Sequence, residues 1–293
     1  MLRKVEELNN GRGAVAALVP FILDGQELGR MRPDFAEQLA AQGAAFRLQP
    51  PPAAGRQRAI TLDPSLATDA QRTAAVAEVL QKLREAGAVK GWRDELYPLG
   101  PAFDAAPLLL VERAAAPYFG MRSYGVHVNG YVVADDGTKR LWVARRSRSK
   151  STWPGKLDHI VAGGQPFGIS CSENVAKECA EEASIPGDLA AHAVATGFIS
   201  YVSLLPEGLK PDVLFTYDLQ LPASFTPEPQ DGEVEEFMLW DLPRVANVIA
   251  HTDDYKPNCG VVVMDFLVRH GYITPDQPGY TQLVAGFRQG GPC

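Results

Sequence analysis

Apolar side chains return every three or four positions through PDFAEQLAAQ (33–42) and DAQRTAAVAEVLQKLREAGA (69–88). That spacing lines one face of a helix, and Gly87 supplies the stop for the second. AFRLQ and PLLLVER are short, apolar runs that suit strands, so residues 1–122 are expected to form a small α+β domain. The pattern changes after APYFGMRSYG. GVHVNGYVVADDGTKRLWVARR reads as two extended segments around DDGT, a hairpin with glycine to supply positive φ. HAVATGFISYVSLL, DVLFTYDLQL and EVEEFMLW predict further strands, and LPRVANVIA and GVVVMDFLVRHG predict helices. Residues 123–293 are therefore expected to form a mixed sheet flanked by helices, which makes the chain α/β (α+β) in class. The proline cluster QPPPAAGRQR (49–58) predicts a loop.

Composition narrows the picture. With 46% apolar and 22% charged residues in 293, the chain can bury a large core. A net charge of −7 argues against non-specific binding to nucleic acid, which needs excess lysine and arginine. Residues 1–124 hold 15 of the 28 basic and 14 of the 35 acidic side chains, so the acidity lies in the second domain. No apolar run approaches the roughly 18 residues that span a membrane, and the N-terminus lacks the apolar core of a secretory signal. A cytoplasmic protein without a membrane partner is expected. Cys171, Cys179, Cys259 and Cys293 are too sparse for a disulfide scaffold, and they show no CxxC or zinc-like spacing.

GGQPFGISCSENVAKECAEEASIP (163–186) concentrates acid on one short helix. Ser170 and Glu173 form the S-x-x-E pattern of a capping box, which starts the helix at about Cys171, and Pro186 ends it by Ser184. Spacings of three and four put Glu178, Glu181 and Glu182 on adjoining positions, while Val175, Ala176, Cys179, Ala180 and Ala183 fall largely on the side that packs. Three like charges repel, and Lys177 pairs with one. A solvated acidic face would account for them, but the preceding LDHIVAGG runs an extended segment into two glycines, a close approach that sets a helix beside a ligand. Converging carboxylates make a hard oxygen site for Mg²⁺ or Mn²⁺, ions that work with substrate phosphates.

Cations stand just upstream. Lys139, Arg140, Arg145, Arg146, Arg148 and Lys150 lie within 12 residues, and Lys156 follows. A solvated strand and loop would explain them too, yet an anionic substrate beside a carboxylate cluster needs positive charge, so Arg145, Arg146, Arg148, Lys150 and Lys156 are the candidates for diphosphate contacts. Trp153 is either an aromatic wall for a heterocycle or a packed turn. DGEVEEFMLW brings Glu233, Glu235 and Glu236 before a strand. His127 and His159 are read as core or loop residues rather than ligands.

The acidic segment resembles a Nudix box, G-x5-E-x7-R-E-U-x-E-E-x-G-U with U aliphatic. Gly163 takes the first glycine, Glu178 the glutamate after the basic position, and Glu181 and Glu182 the paired glutamates. Ile169 replaces the first glutamate, Lys177 the arginine, Cys179 the aliphatic residue and Ser184 the second glycine. ERAAAPYFGMRSYGVHVNGYV, LWVARRSRSKSTWPGKLDHIVAGGQP, DVLFTYDLQLP and KPNCGVVVMDFLVRHG extend the likeness to a Nudix subfamily whose N-terminal domain is associated with thiamine pyrophosphokinase. The resemblance implies a Nudix α/β/α sandwich behind a smaller α+β domain. It also implies a Mg²⁺-dependent hydrolase that cleaves an organic diphosphate, including thiamine diphosphate or its oxidised forms, to the monophosphate and phosphate. Glu178, Glu181 and Glu182 would hold the metal, with Glu181 or Glu233 as base, and Gly163 and Gly164 would border a small-molecule substrate in a monomer or homodimer. Two alternatives remain. Ile169 and Ser184 leave room for a ligand-binding protein with weak or no turnover. RRSRSKSTWPGKLD is also similar to isopentenyl diphosphate isomerase, whose chemistry uses a cysteine in the strand that reads HIVAGG here, where no cysteine stands.

Overall fold

A computed structural model describes residues 1–50, 58–230 and 232–290. Residues 51–57, the heart of the expected proline loop, lie outside the described residues.

The first part of the chain begins with helix α1 (Leu2–Leu8) and a 3₁₀ turn, then the hairpin β1 (Val19–Leu23) and β2 (Gln26–Met31). Asp24 and Gly25 close this hairpin with positive φ at both positions, the geometry a two-residue turn requires. Helix α2 (Pro33–Ala41), strands β3 (Phe46–Gln49) and β4 (Ala59–Leu62), and helix α3 (Asp69–Glu85) follow, and the sheet runs β2-β1-β4-β3. The predicted helices and strand β3 agree closely with these bounds. Thr68 and Gln71 close a full capping box on α3, and Gly87, with φ of 71°, follows its end. The small hairpin of β5 (Leu96–Leu99) and β6 (Leu109–Glu112) then leads through α4 (Ala116–Phe119) to the larger sheet.

That sheet contains β7 (Ser123–Val133), β8 (Lys139–Arg146), β9 (Leu157–Asp158), β10 (Val161–Gly164), β11 (Val194–Leu204), β12 (Leu209–Gln220) and β13 (Val234–Asp241). Its main order is β11-β12-β7-β8-β13, with β12 and β7 parallel and the other neighbours antiparallel. The hairpin partners β7 and β8 pair only from Tyr131 to Val133 and then diverge. The wedge between them is filled by β10 against β7 and β9 against β8. Helices α5 (Cys171–Ala183) and α6 (Gly187–Ala190) cover one face, while α7 (Leu242–His251), α8 (Pro257–Arg269) and α9 (Tyr280–Gly286) cover the other. The two-residue period of a strand divides the side chains between these layers. Leu141 and Val143 join the core beneath α8, whereas Trp142 between them joins the core beneath α5.

Helix α1 is not visible in the periodicity, being about two amphipathic turns long. Val5 and Leu8 are buried in the core of the larger sheet with Phe266, Leu283 and Phe287, so the first helix packs against α8 and α9 rather than with the elements that follow it. Among the described residues, no helix is long and apolar enough to cross a membrane.

Replacing Leu8, only 6% exposed, by alanine should cost about 2–5 kcal/mol. Denaturant unfolding followed by Trp142 and Trp240 fluorescence should register the loss, and an unchanged midpoint would show that α1 does not hold this core.

Candidate active site

Helix α5 begins as the sequence predicts. The Glu173 amide donates to Ser170 Oγ at 3.2 Å, and the Ser170 amide donates to Glu173 Oε2 at 2.7 Å. Glu173 is thereby committed to the cap. At the other end Ser184 takes the left-handed conformation, φ of 53°, that favours glycine. Its hydroxyl donates to the Glu228 carbonyl at 2.9 Å and accepts from Gln230 Nε2 at 2.7 Å, bonds that glycine could not make.

The packing face differs from the expected one. Asn174, Val175, Cys179 and Ala183 are buried, but Ala176 and Ala180 are exposed. Helix α5 rests on β10, and the strand draws the boundary of the buried stripe through Glu178 and Glu182. A Cβ on Gly163 would lie 2.3 Å from Glu178 Cδ, so only glycine permits this approach. Glu182 accepts the Ala162 amide at 2.9 Å. Glu181 projects outward to Lys177 at 2.9 Å; its side chain is 54% exposed, against 14% for Glu178. The three glutamates are therefore not a converging trio in this arrangement. Glu178 and Glu182 face the glycine strand, and Glu181 faces solvent.

Burial raises the pKa of Glu178 above the usual carboxylate range, and Glu181 adds to the effect against the opposing charge of Lys177. Glu182 is pushed up much further, by burial first and then by the carboxylates of Glu178, Asp158 and Glu233, with the Ala162 amide opposing. Two hard oxygen donors one helical turn apart, both disfavoured as anions by desolvation, fit a divalent cation that would relieve that cost. Glu178 and Glu182 are the side chains able to hold it.

The basic run is largely occupied by neighbours that its own hairpin sequence did not reveal. Strand β13 pairs with β8, bringing Glu236 opposite Arg145 and Val234 opposite Arg146. Arg145 donates to Glu236 at 2.9 Å, Arg148 lies 3.6 Å from Glu235, and Lys150 pairs with Glu233. Lys156 donates to the Asp253 carbonyl at 2.5 Å. Arg146 donates to the carbonyls of Thr152 and Trp153 and, at 2.7 Å, to the buried carboxylate of Asp158. It is the organiser of the 147–156 loop. Trp153, 44% exposed with φ of 52°, stands on that loop at the rim of a cavity.

The cavity, about 350 Å³, has Gly163 and Gly164 on its wall. Among its other charged and aromatic lining, sequence reasoning did not find Arg93, Tyr97 and Arg113 from the first domain, or Lys210, Asp212 and Lys256 from the second. One signal was available, since Asp212 and Asp218 interrupt an otherwise apolar strand, and a carboxylate on a buried strand needs a partner. Asp212 accepts from Tyr201 Oη at 2.7 Å and pairs with Lys210. Behind this wall lies a buried polar group. Cys259 Sγ donates to Asp158 at 2.7 Å, and Lys256 lies 3.5 Å from the same carboxylate. Burial opposes the charge on Asp158, but Lys256, His159 and Arg146 together hold its pKa well below the ordinary range. His127 and His159 meet edge to face at 4.9 Å and are both buried, and with Cys259 they place three ligand-type atoms within 4.8 Å of one another, a grouping the sequence reading did not anticipate. Burial lowers His159 to about 4, against the opposing pull of Asp158.

Comparison with known proteins supplies an independent line. A family described as a domain of unknown function, DUF4743, matches residues 1–123. The chain is 45% identical over 289 residues to Nudix hydrolase 24, chloroplastic, of Arabidopsis thaliana, covering 99% of this chain and 78% of that protein. It is likewise 45% identical over 290 residues to Nudix hydrolase 20, chloroplastic, of the same plant, covering 97% and 76%. Both names place those relatives in the chloroplast, so the cytoplasmic expectation gains no support from them. The chain also aligns with a MutT protein from Methanosarcina mazei Go1 over 52% of its length and 94% of that protein, at 18% identity and a TM-score of 0.38, too remote to bear on the argument.

Two outcomes follow from this geometry. Arg146→Gln, which removes the closer of the two cations on the buried Asp158 carboxylate, should cost about 3 kcal/mol, whereas Arg148→Gln at the surface should stay within about 0.5 kcal/mol; equal midpoints in chemical denaturation would refute the division. His159 has a folded pKa below its unfolded 6.5, so the unfolded chain binds the extra proton. Stability is held above pH 6.5 and drains as pH falls through about 4, by on the order of 3 kcal/mol for this group. The difference between wild type and His159→Asn across that window, from thermal melts, should carry this slope.

Proposed function

The chain belongs to the Nudix hydrolase family, and from that premise we propose that this diphosphate hydrolase cleaves an organic diphosphate to its monophosphate and phosphate, using Mg²⁺ or Mn²⁺ held by Glu178 and Glu182. The observation that carries the reading is the pair of carboxylates set one turn apart against Gly163, an approach that any Cβ would forbid. When bound, the cation supplies polarisation of the phosphoryl oxygens and a more acidic water. The remaining work belongs to the chain. The cavity bordered by Gly163 and Gly164 has the volume of a small-molecule site.

Water attacks one phosphorus, the bridging P–O bond breaks, and the attacking water loses a proton. Glu233 is our choice of base. Its charge reaches Glu182, and its pairing with Lys150 fixes it at the end of β8. Glu181, turned toward Lys177, is assigned a peripheral part, either in the outer arrangement of the metal or as an exposed charge. Among the basic residues, Arg148 and Lys150 on the 147–156 loop are the diphosphate candidates we retain, with Trp153 as the aromatic edge. Likeness to the subfamily associated with thiamine pyrophosphokinase supports thiamine diphosphate or its oxidised forms as substrate, and a phosphate-release screen across these, nucleotide sugars and isoprenyl diphosphates tests that choice.

Glu182→Gln should fold yet lose at least about a hundredfold in kcat and weaken Mg²⁺ binding, since one ligand oxygen and its charge are removed. Glu181→Gln should lose less than about tenfold. Steady-state kinetics with Mg²⁺ titration would decide, and a fully active Glu182→Gln would sink the assignment.

A further inference from the structure

The matched domain of unknown function reaches the glycine strand. The Phe167 amide donates to the Leu96 carbonyl at 3.2 Å, which ties β5 to the loop leading into α5. The next residue on β5, Tyr97, then meets β10. A Cβ on Gly164 would fall 1.8 Å from Tyr97 Oη and 3.3 Å from Arg113 Cζ. The two glycines thus serve opposite neighbours, Gly163 admitting Glu178 and Gly164 admitting the Tyr97–Arg113 pair, as alternation along a strand requires.

Arg113 is seated from behind. Its Nη1 donates to Glu95 at 2.6 Å, and its guanidinium lies 5.6 Å from the centre of the Tyr97 ring. Its charge acts on Glu178 across the glycine strand. Lys210 and Lys256 also border the cavity, but each is a point charge held by a buried carboxylate, Asp212 and Asp158 respectively; Arg93, the other guanidinium on the wall, reaches toward Ser151 Oγ at 3.5 Å rather than toward Gly164. A guanidinium is a fork of five donors, and engagement by Glu95 at one corner leaves a planar edge suited to paired phosphate oxygens.

We propose that residues 1–123 complete the active site, with Arg113, seated by Glu95 and Tyr97, binding the substrate's outer phosphate beside Gly164 at the end of β10. This rests on the reading of the cavity as a diphosphate site and adds which domain supplies its cation. The first domain is then part of the catalytic apparatus, and its position controls how tightly the anion is held.

The test uses the full chain and methylenediphosphonate, whose P–C–P bridge resists hydrolysis, titrated calorimetrically with Mg²⁺ present. Arg113→Gln should bind the diphosphonate 10- to 100-fold more weakly, on the order expected for a lost charge-assisted contact. Arg113→Lys should fall between, and Mg²⁺ binding without diphosphonate should weaken in neither variant. Gly164→Ala, whose methyl displaces Tyr97 and Arg113 together, should weaken binding to a similar degree, and this variant decides the matter should Arg113→Gln fail to fold. Wild-type affinity in folded Arg113→Gln or in Gly164→Ala, or no binding by the wild type, overturns the proposal. The two readings separate cleanly. Turnover of thiamine diphosphate with an unaltered KM in Arg113→Gln rejects Arg113 and spares the hydrolase, while Arg113-dependent binding without turnover of any diphosphate does the reverse.

Discussion

Contact between helix α5 and strand β10 is the constraint on which the site depends. The helix can lie close enough for Glu178 to touch the strand only because position 163 has no side chain, and the same closeness lets the Ala162 amide bond Glu182. The approach removes two carboxylates from water and sets them side by side, so their charge is held at a cost. A fold under selection for stability alone would gain by replacing them with apolar residues of similar size. The stabilising groups lie elsewhere, in the apolar stripe of Val175, Cys179 and Ala183 beneath them and in the capped ends of the helix. The site is thus a local debit carried by a well-packed layer, the usual relation between function and stability.

Much of this was legible in the chain because it is set by near neighbours. A capping box at Ser170 and a proline at 186 fixed α5 to within a residue, and the hairpin at Asp135–Gly137 and the strands of the second sheet followed from alternation and turn chemistry. What failed to show was set by distant partners. The basic residues of β8 looked available until β13 brought its glutamates alongside, a pairing between segments some ninety residues apart. The face of α5 was misassigned for a related reason. Periodicity gives the direction of the apolar stripe, but the strand that covers the helix decides which flanking residues are drawn in with it, and here it took Glu178 and Glu182 while leaving Ala176 and Ala180 to solvent.

Tyr97 and Arg113 were invisible for the same cause. In sequence they sit on a hairpin of another domain, with nothing in PLLLVER to mark an arginine that borders a cavity. A fork in the sheet makes the encounter possible. Because β7 and β8 part after three pairs, the intervening chain can return as β9 and β10, and the exposed end of β10 becomes a meeting place for α5 on one side and β5 on the other.

The seat of α1 has a consequence for how the molecule comes into being. The helix is synthesised ahead of the other described elements, yet its apolar side packs against α8 and α9, which come last among them. Until those segments appear, Val5 and Leu8 lack most of their native cover. The larger core therefore closes late, joining segments far apart in sequence in a single step.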